Sequence, residues 1–330
     1  MNVLVTGATG FVGRALTHRL VAAGIRVRAI VRARPSSADE AVEWAAIGDL
    51  GGPVDWKRLM VGVDAVVHLA ALAHQVGRAA RSCPNEYMFE NAEISRRVAR
   101  AARDGGARRF VLLGSVAAVG SRGMLPIDDD TLPQPVTDYG ASKLAAERAV
   151  GEELAGSATS LVVLRAPLVF GPGNPGNMGR LLRLIARQAV LPFGAIYNSR
   201  SFLFVENLVD VIVLALRAEN ALTGTYFIDD GTRFSTADLC RALASAARME
   251  VRIVRVPIWL LSALGRVGDC AEIVLRRDLA INSYSVSRLT DSLVIDGRRF
   301  RAITGWNPPV ATSEAILRTV ESVVRERRER

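Results

Sequence analysis

The first half of the chain alternates short apolar runs with stretches of helical spacing. Residues 3–6 are apolar, residues 11–23 repeat apolar positions at helical spacing up to Gly24, and residues 26–31 alternate again. That order is typical of a strand–helix–strand unit. Further apolar runs at 64–69, 109–114 and 160–165 are separated by helical patterns at about 87–104 and 139–154. The alternation predicts an α/β fold with a doubly wound parallel sheet covered by helices on both faces.

The pattern changes after the turn-rich segment FGPGNPGN at 170–177. Helical patterns near 179–189 and 206–218, the apolar run SFLFV and a strand-like run at 225–229 follow, and residues 230–310 mix both patterns. A chain of 330 residues is long for one core. We predict a sheet domain over residues 1–170, to which residues 201–229 return. A smaller C-terminal lobe over residues 171–200 and 230–330 is predicted to cover the carboxyl edge of the sheet.

The net charge of +9 comes from arginines spread along the whole length, and the tail RERRER mixes both signs. Nucleic-acid binding would favour a clustered basic face with aromatic side chains between the charges, and the sequence has none. We therefore expect anionic small molecules as ligands, and no nucleic acid.

Three cysteines, Cys83, Cys240 and Cys270, are widely spaced and have no clustered histidines around them. They predict reduced thiols, with neither a disulfide framework nor a metal site. The beginning of the sequence lacks the basic and apolar regions of a secretory signal, which predicts a cytoplasmic protein. The most apolar late segment, VPIWLLSALGRVG, is interrupted by Arg266 and is too short to span a bilayer, so no membrane insertion is expected.

A glycine-rich turn, GATGFVG, separates the first strand from the first helix. Gly7 suits a tight turn, Gly10 lets backbone approach a pyrophosphate, and Gly13 lets the helix pack closely with its N-terminus facing the anion. The alternative is an ordinary glycine-rich turn. The position of this turn in a strand–helix–strand unit of about 30 residues favours the first interpretation. That interpretation is a Rossmann-type dinucleotide-binding domain that spans residues 1–170.

The end of the second strand bears on the choice of dinucleotide. The sequence VRARPSS has Arg32 and Arg34 and no acid before Asp39. A carboxylate here would bind the 2′-hydroxyl of NAD, whereas guanidinium groups bind a 2′-phosphate. We therefore predict NADP(H) as the preferred cofactor, with NAD(H) possible, because these can also be two more solvated arginines.

The segment YGASK places one of only two lysines among 42 basic residues four positions after Tyr139. That lysine, Lys143, would lie on the same helical face as the tyrosine. A nearby cation lowers the pKa of a phenol and makes it useful as an acid and base, and a lysine can also bond ribose hydroxyls. Ser115, after the run FVLLG, would hold a carbonyl or alkoxide oxygen beside the phenol. The alternatives are a surface helix pair and a strand-end turn residue.

These motifs together resemble an extended short-chain dehydrogenase/reductase of the nucleotide-sugar epimerase/dehydratase group. The resemblance covers nearly the whole chain and is carried, in family order, by VTGATGFVG, GDL, HLAA, Asn91, GSVAAVG, YGASK, LRAPLVFGPG and GWNPP. It implies a catalytic set of Ser115, Tyr139 and Lys143. It implies cofactor binding by Gly7, Gly10, Phe11, Val12, Gly13, Arg32, Arg34, Asp49, Leu50, Leu69, Ala70, Ala71, Asn91, Lys143 and Pro167. It implies substrate binding by His74, Asn177, Arg200 and Arg288, with arginine on the diphosphate of a UDP-sugar.

Departures from the family pattern narrow the implied chemistry. Dehydratases of the group carry an Asp-Glu pair where this sequence has Val116 and Ala117, which transfer no protons. Two hydride chemistries at sugar C4 remain. We predict NADPH-dependent reduction of a UDP-linked 4-keto-6-deoxy-N-acetylhexosamine in bacterial surface polysaccharide biosynthesis. The alternative is a UDP-hexose or UDP-N-acetylhexosamine 4-epimerase with bound NAD.

Two other classes of protein remain as alternatives to these enzymes. A dinucleotide-sensing regulator usually loses the tyrosine or the lysine, and a steroid or flavonoid reductase has no use for Arg200.

The resemblance also implies a homodimer formed through the helices at about 87–104 and 139–154.

Overall fold

The computed structural model describes residues 1–72, 84–120, 123–174, 177–187, 190–218, 222–275, 277, 279 and 282–328. The strands are β1 (Asn2–Thr6), β2 (Arg26–Val31), β3 (Val42–Ala46), β4 (Ala65–His68), β5 (Arg109–Ser115), β6 (Ser160–Ala166), β7 (Leu168–Phe170), β8 (Val190–Leu191), β9 (Arg200–Phe204), β10 (Gly224–Phe227), β11 (Arg233–Phe234) and β12 (Arg252–Ile253). The α-helices are α1 (Phe11–Ala22), α2 (Trp56–Leu59), α3 (Pro84–Tyr87), α4 (Ile94–Asp104), α5 (Asp138–Leu154), α6 (Asn177–Ala186), α7 (Val205–Arg217), α8 (Thr236–Ala246), α9 (Ile258–Leu275), α10 (Ser283–Thr290), α11 (Arg298–Thr304) and α12 (Thr312–Arg328). A π-helical turn, Met88–Glu93, leads into α4, and a 3₁₀ turn, Val116–Ala118, follows β5.

Seven strands form one parallel sheet in the order β10-β6-β5-β4-β1-β2-β3. The chain turns to β2 on one side of β1 and to β4 on the other, so the carboxyl ends of β1 and β4 border the crevice where such sheets bind ligands. The register places Thr6 opposite His68 and Ser115 opposite Ala166. The residues that end these strands therefore meet along one edge.

Helices cover both faces of the central sheet. On one face Leu16 of α1 and Leu208 and Ile212 of α7 pack with the strands in one buried cluster. On the other face Val98 of α4 and Val150 of α5 belong to a second cluster. The predicted Rossmann-type, doubly wound α/β fold is confirmed.

A third buried cluster joins the carboxyl edge to the C-terminal part of the chain. It brings Phe170 and Phe204 together with Leu243 of α8 and Ile316 of α12. Two small sheets, with strand orders β11-β9-β7 and β12-β8, accompany it. Trp306, late in the chain, packs into the first cluster instead. The smaller lobe over residues 171–200 and 230–330 stays a prediction.

Candidate active site

The YGASK segment begins helix α5. The side-chain oxygen of Thr137 accepts a hydrogen bond of 3.0 Å from the backbone N–H of Gly140 and caps the helix. Tyr139 and Lys143 then lie one turn apart within α5. The predicted helical pair is therefore present at the carboxyl edge of the sheet.

Ser115, the last residue of β5, is hydrogen-bonded to the phenol of Tyr139. Its Oγ also accepts a hydrogen bond of 3.2 Å from the N–H of Ala117. Gly140 allows this meeting, because a Cβ at that position would lie 2.3 Å from the carbonyl oxygen of Ala117. The start of α5 thus packs directly on the turn after Ser115.

The side chain of Lys143 is buried and anchored to β5. Its Nζ donates to the carbonyl oxygen of Leu113 at 2.7 Å, and burial lowers the pKa of Lys143 to about 8. Burial raises the pKa of Tyr139, although the Ser115 hydroxyl acts in the opposite direction. The expectation that Lys143 lowers the pKa of Tyr139 stays a prediction, because the net shift reflects burial and the hydroxyls of Ser115 and Tyr87. Desolvation dominates, and it disfavours the phenolate.

A buried ion pair lies one helical turn beyond Lys143. Oε2 of Glu147 on α5 is 2.7 Å from Nη2 of Arg165 on β6. Gly114 leaves room for the carboxylate, because a Cβ there would lie 2.8 Å from Oε1 of Glu147. The Glu147 charge raises the pKa of Lys143 against the effect of burial. The pair therefore favours the ammonium form of the lysine.

His68, at the end of β4, is the centre of a buried hydrogen-bond chain. The N–H of Ala70 donates to Oγ1 of Thr6, which lies 2.7 Å from Nδ1 of His68. On the other side, Nε2 of His68 lies 3.0 Å from Oγ of Ser95, which donates to the carbonyl oxygen of Asn91. These directions fit a neutral imidazole with its proton on Nε2. Burial, helped by the Lys143 charge, lowers the pKa of His68 to about 3.

Asn91 links the loop after β4 to the helix of the candidate catalytic pair. Its Oδ1 accepts from the N–H of Leu72 at 2.7 Å, and its Nδ2 donates to Oγ of Ser142 at 2.9 Å. Ser142 in turn donates to the carbonyl oxygen of Tyr139. Asn91 lies within the π-helical turn, a feature often found at functional sites. In the structure the side chain of Asn91 holds the backbone of Leu72 and, through Ser142, the backbone of Tyr139. The predicted cofactor contact of Asn91 stays a prediction.

A cavity of about 470 Å³ lies along the carboxyl ends of β1, β2 and β4. Eight residues predicted to bind the cofactor line it: Gly7, Gly10, Arg32, Asp49, Leu50, Leu69, Ala70 and Ala71. Three carboxylates, those of Asp49, Glu86 and Glu90, line the same cavity.

The glycine turn fits a dinucleotide by its close packing. A Cβ at Gly7 would lie 2.7 Å from the backbone nitrogen of Ala70, and one at Gly13 would lie 2.1 Å from the carbonyl oxygen of Gly7. Gly10 is the residue before α1, so the N-terminus of that helix opens toward the cavity. These residues would hold a pyrophosphate by backbone N–H groups.

The remaining predicted residues occupy other places. Phe11 and Val12 pack against the buried cluster at the carboxyl edge, and Arg34 is exposed. Pro167 is buried between β6 and β7. His74 lies outside the described residues, as does the side chain of Asn177, the first residue of α6. Their predicted roles stay predictions.

Two arginines and a tyrosine form a group on the C-terminal side. Arg200 donates to the carbonyl oxygen of Arg288, whose guanidinium lies 5.7 Å from the ring centre of Tyr284. Burial lowers the pKa of Arg200, and the charge of Arg288 adds to the effect. The two guanidinium groups repel each other, and an anion between them would relieve that repulsion.

Tyr87 connects the two halves of the site. Its ring meets that of Tyr139 edge to face, with centres 6.2 Å apart. Its phenol also acts electrostatically on Tyr284. The candidate catalytic hydroxyls and the two arginines thus border the same region.

Comparison with known proteins decides the family. Residues 3–228 match the NAD dependent epimerase/dehydratase family. The chain belongs to this family. A curated member, the UDP-glucose 4-epimerase of Vibrio cholerae, is 30% identical over 97% of this chain and 95% of its own length. The N-acetyl-alpha-D-glucosaminyl-diphospho-ditrans,octacis-undecaprenol 4-epimerase of Escherichia coli O157:H7 is 26% identical over 97% of this chain and 94% of its own length.

The epimerase/dehydratase fold extends beyond the segment matched by the family. The solved structure of MoeE5 in complex with UDP-glucuronic acid and NAD covers 99% of this chain and 100% of its own, with a TM-score of 0.78 and 24% identity. The C-terminal part therefore shares its architecture with that protein as well.

Several polar residues of this epimerase/dehydratase site were not predicted from the sequence. Glu147 could have been found, because it follows Lys143 by one helical turn. Tyr87 and Tyr284 come from distant segments and meet only through the fold. His68 stood in the motif HLAA, but its partners Thr6 and Ser95 carried no recognisable spacing.

Proposed function

We propose that the protein is an NAD-dependent 4-epimerase that acts on a hexose linked to a diphosphate, with a UDP-sugar as the first candidate. The observation that carries this proposal is the Ser115–Tyr139 hydrogen bond at the carboxyl edge of the sheet, the edge that also borders the cofactor cavity. The names of the Vibrio cholerae and Escherichia coli relatives support reaction at C4.

The proposed roles follow from the chemistry of each side chain. Bound NAD would supply the hydride acceptor and donor at C4, and the residues that line the cavity, among them Gly7, Gly10 and Ala70, would hold it there. As a phenolate, which the ammonium of Lys143 one helical turn away would stabilise, Tyr139 takes the proton of the C4 hydroxyl and then gives it back, while Ser115 holds the oxygen. Val116 and Ala117 offer no second acid or base, which argues against loss of water. Arg200 and Arg288 bind the diphosphate by charge-assisted hydrogen bonds.

The charges around the cavity support NAD over NADP. Arg32 is the guanidinium that lines it, and its Nη2 lies 3.5 Å from Oδ2 of Asp49. Burial and the Asp49 charge together raise the pKa of Glu90, so these carboxylates already repel each other. A 2′-phosphate would add two negative charges beside Asp49, Glu86 and Glu90. The NADP preference inferred from Arg32 and Arg34 is thus opposed by their surroundings and remains untested.

A second candidate is the NADPH-dependent reduction of a UDP-linked 4-keto-6-deoxy-N-acetylhexosamine. It is favoured by Arg32, whose side chain is 78% exposed, because that side chain can turn away from Asp49 toward a phosphate. The catalytic roles of Tyr139 and Ser115 would be the same. Only the net redox change and the source of the hydride differ.

One experiment separates the two reactions. The purified protein is denatured and the released nucleotide identified by chromatography, and the native protein is then incubated with UDP-glucose, UDP-N-acetylglucosamine and their C4 epimers. Epimers seen by NMR without added cofactor, together with released NAD, support the epimerase. If the protein instead turns over only a 4-keto sugar, and only with NADPH, the proposed function changes from epimerase to reductase.

We also propose a homodimer through α4 and α5. Leu132 and Val136, just before α5, are 79% and 78% exposed and offer apolar surface to such an interface. A molar mass measured by light scattering tests this. Glutamine at both positions is expected to reduce the mass toward that of one chain.

A further inference from the structure

Among the described side chains of helix α9, most of the large apolar ones face the outside. Its buried positions are Leu261, Gly265, Gly268 and Glu272. Its exposed large apolar residues are Ile258, Trp259, Leu260, Leu264, Val267 and Leu275, with Trp259 70% exposed and Val267 65% exposed. We call this set the α9 face. A water-exposed helix normally has the reverse arrangement.

Polar anchors fix the orientation of α9. Oδ1 of Asp269 accepts from the N–H of Ser283 at 3.1 Å, and Oε1 of Glu272 accepts from Nδ2 of Asn282 at 2.8 Å. A Cβ at Gly265 would lie 3.0 Å from Cα of Ser283, so α10 packs closely on the inner side. Rotation of the helix would break these contacts. The α9 face is therefore held on the outside of the fold.

Exposed arginines flank the α9 face along the chain. Residues 248–277 contain six arginines and three acids. Arg252, Arg255, Arg266 and Arg277 are exposed, whereas two of the acids, Asp269 and Glu272, are bonded to α10 and its N-terminal flank. An apolar surface with a tryptophan and a basic rim complements the acyl chains and phosphates of an anionic bilayer.

We propose that the α9 face docks in the plane of a membrane rich in anionic phospholipid. Within the described part of the chain, no helix is both long and apolar enough to cross a bilayer. The sequence also argues against a membrane-spanning helix, and docking in the plane of the membrane requires no such helix. A second copy is the less suitable occupant, because a two-fold pairing of identical faces would bring one basic rim onto the other.

Docking would place the candidate active site close to the lipid surface. Helix α10, packed on the inner side of α9, carries Tyr284 and Arg288 of the anion-binding group. If the proposed function holds, a sugar held on a membrane lipid by a diphosphate could reach these residues without leaving the bilayer. This extension of the substrate class depends on that function, whereas docking itself does not.

Vesicle sedimentation of the full-length protein tests the docking. Sucrose-loaded vesicles of phosphatidylcholine alone are compared with an equimolar mixture of phosphatidylcholine and phosphatidylglycerol. The protein is expected to sediment with the mixed vesicles, and added salt should weaken the binding. The double variant Trp259→Gln/Leu264→Gln should lose about tenfold or more in vesicle affinity, and Arg266→Gln a smaller factor, since two apolar anchors outweigh one charge.

Controls separate docking from folding and from catalysis. Val61→Gln changes an apolar residue that is 69% exposed elsewhere, and it should sediment like the original protein. Turnover of a soluble UDP-sugar should be unchanged in the double variant, because neither residue belongs to the site. Absence of binding to both vesicles, or equal binding by the double variant, overturns the proposal. So does a halved molar mass of the double variant in solution, which would identify the α9 face as an interface between copies.

Discussion

Gly140 lies so close to Ala117 that a Cβ on the glycine would be 2.3 Å from the carbonyl oxygen of the alanine. This approach brings the first turn of α5 onto the 3₁₀ turn that follows Ser115. The distance between the two candidate catalytic hydroxyls is thus set by a residue that has no side chain.

Gly140→Ala is expected to separate the phenol of Tyr139 from Ser115. Relief of the clash requires a backbone shift, with a loss of about 1–3 kcal/mol in stability and a fall in turnover on the order of a hundredfold. Gly151→Ala in the same helix is the matched control, because a Cβ there meets nothing within 4 Å. It should leave turnover intact and stabilise the helix by about 0.5–1 kcal/mol. Equal turnover of the two variants would contradict this account of the site.

Tyr139→Phe is expected to remove proton transfer and leave the cofactor cavity unchanged. Turnover of the sugar should fall by about 10²–10⁴-fold, while the amount of nucleotide that copurifies stays the same. Tyr197→Phe, at a position that is 73% exposed, is the control. Steady-state rates and nucleotide content per chain are the two measurements. Near-normal turnover in Tyr139→Phe would contradict the assignment of Tyr139 as the residue that transfers the proton.

The sheet and the YGASK pair could be predicted because their signals are local. Apolar runs bounded by turns specify β1, β5 and β6, and a four-residue spacing specifies one helical face. The edge strand β3 was missed because Val42–Ala46 is only partly buried and Glu43 interrupts its apolar residues, so its sequence lacks the continuous apolar run of a buried strand. The π-helical turn was also missed, since no residue pattern distinguishes it from the α-helix that follows.

The electrostatics of the site could not be predicted from spacing. The sequence places Lys143 beside Tyr139 in the helix, but it does not show that the lysine bonds the carbonyl of Leu113. Nor does it show that burial is the largest effect on the pKa of the phenol. Both depend on how deeply the start of α5 packs, which is a property of the tertiary structure.

His68 is expected to make stability depend on pH in the acidic range. Its pKa is about 3 in the folded protein, below the ordinary 6.5, so between these values the unfolded chain binds a proton that the folded chain does not. Stability should therefore fall as pH decreases from 6.5 toward 3, by a few kcal/mol in total, and His68 should add no slope above 6.5. Urea unfolding across this range should show a smaller slope for His68→Gln than for the exposed-site control His18→Gln. Identical slopes would mean that His68 is charged in the folded protein.

Arg200 is expected to act on substrate binding. Arg200→Ala should raise KM for a UDP-sugar by about 10–100-fold, the range of one or two charge-assisted hydrogen bonds. Nucleotide content should not change, because Arg200 does not line the cofactor cavity. Arg298→Ala, at a side chain that is 84% exposed, is the control. A fall in kcat with an unchanged KM would place Arg200 outside the diphosphate site.

Glu90 is expected to discriminate between the two dinucleotides. Its carboxylate lines the cavity with Asp49, and burial together with the Asp49 charge raises the pKa of Glu90. Glu90→Gln removes one negative charge near the 2′ position, so the affinity for NADP should rise by about 5–10-fold while that for NAD changes little. Glu93→Gln is the matched control, because Glu93 belongs to the same π-helical turn but pairs with Arg97. Titration of both variants with NAD and NADP gives the four affinities. A parallel change for both dinucleotides would show that Glu90 acts on the shape of the cavity and does not read the 2′ position.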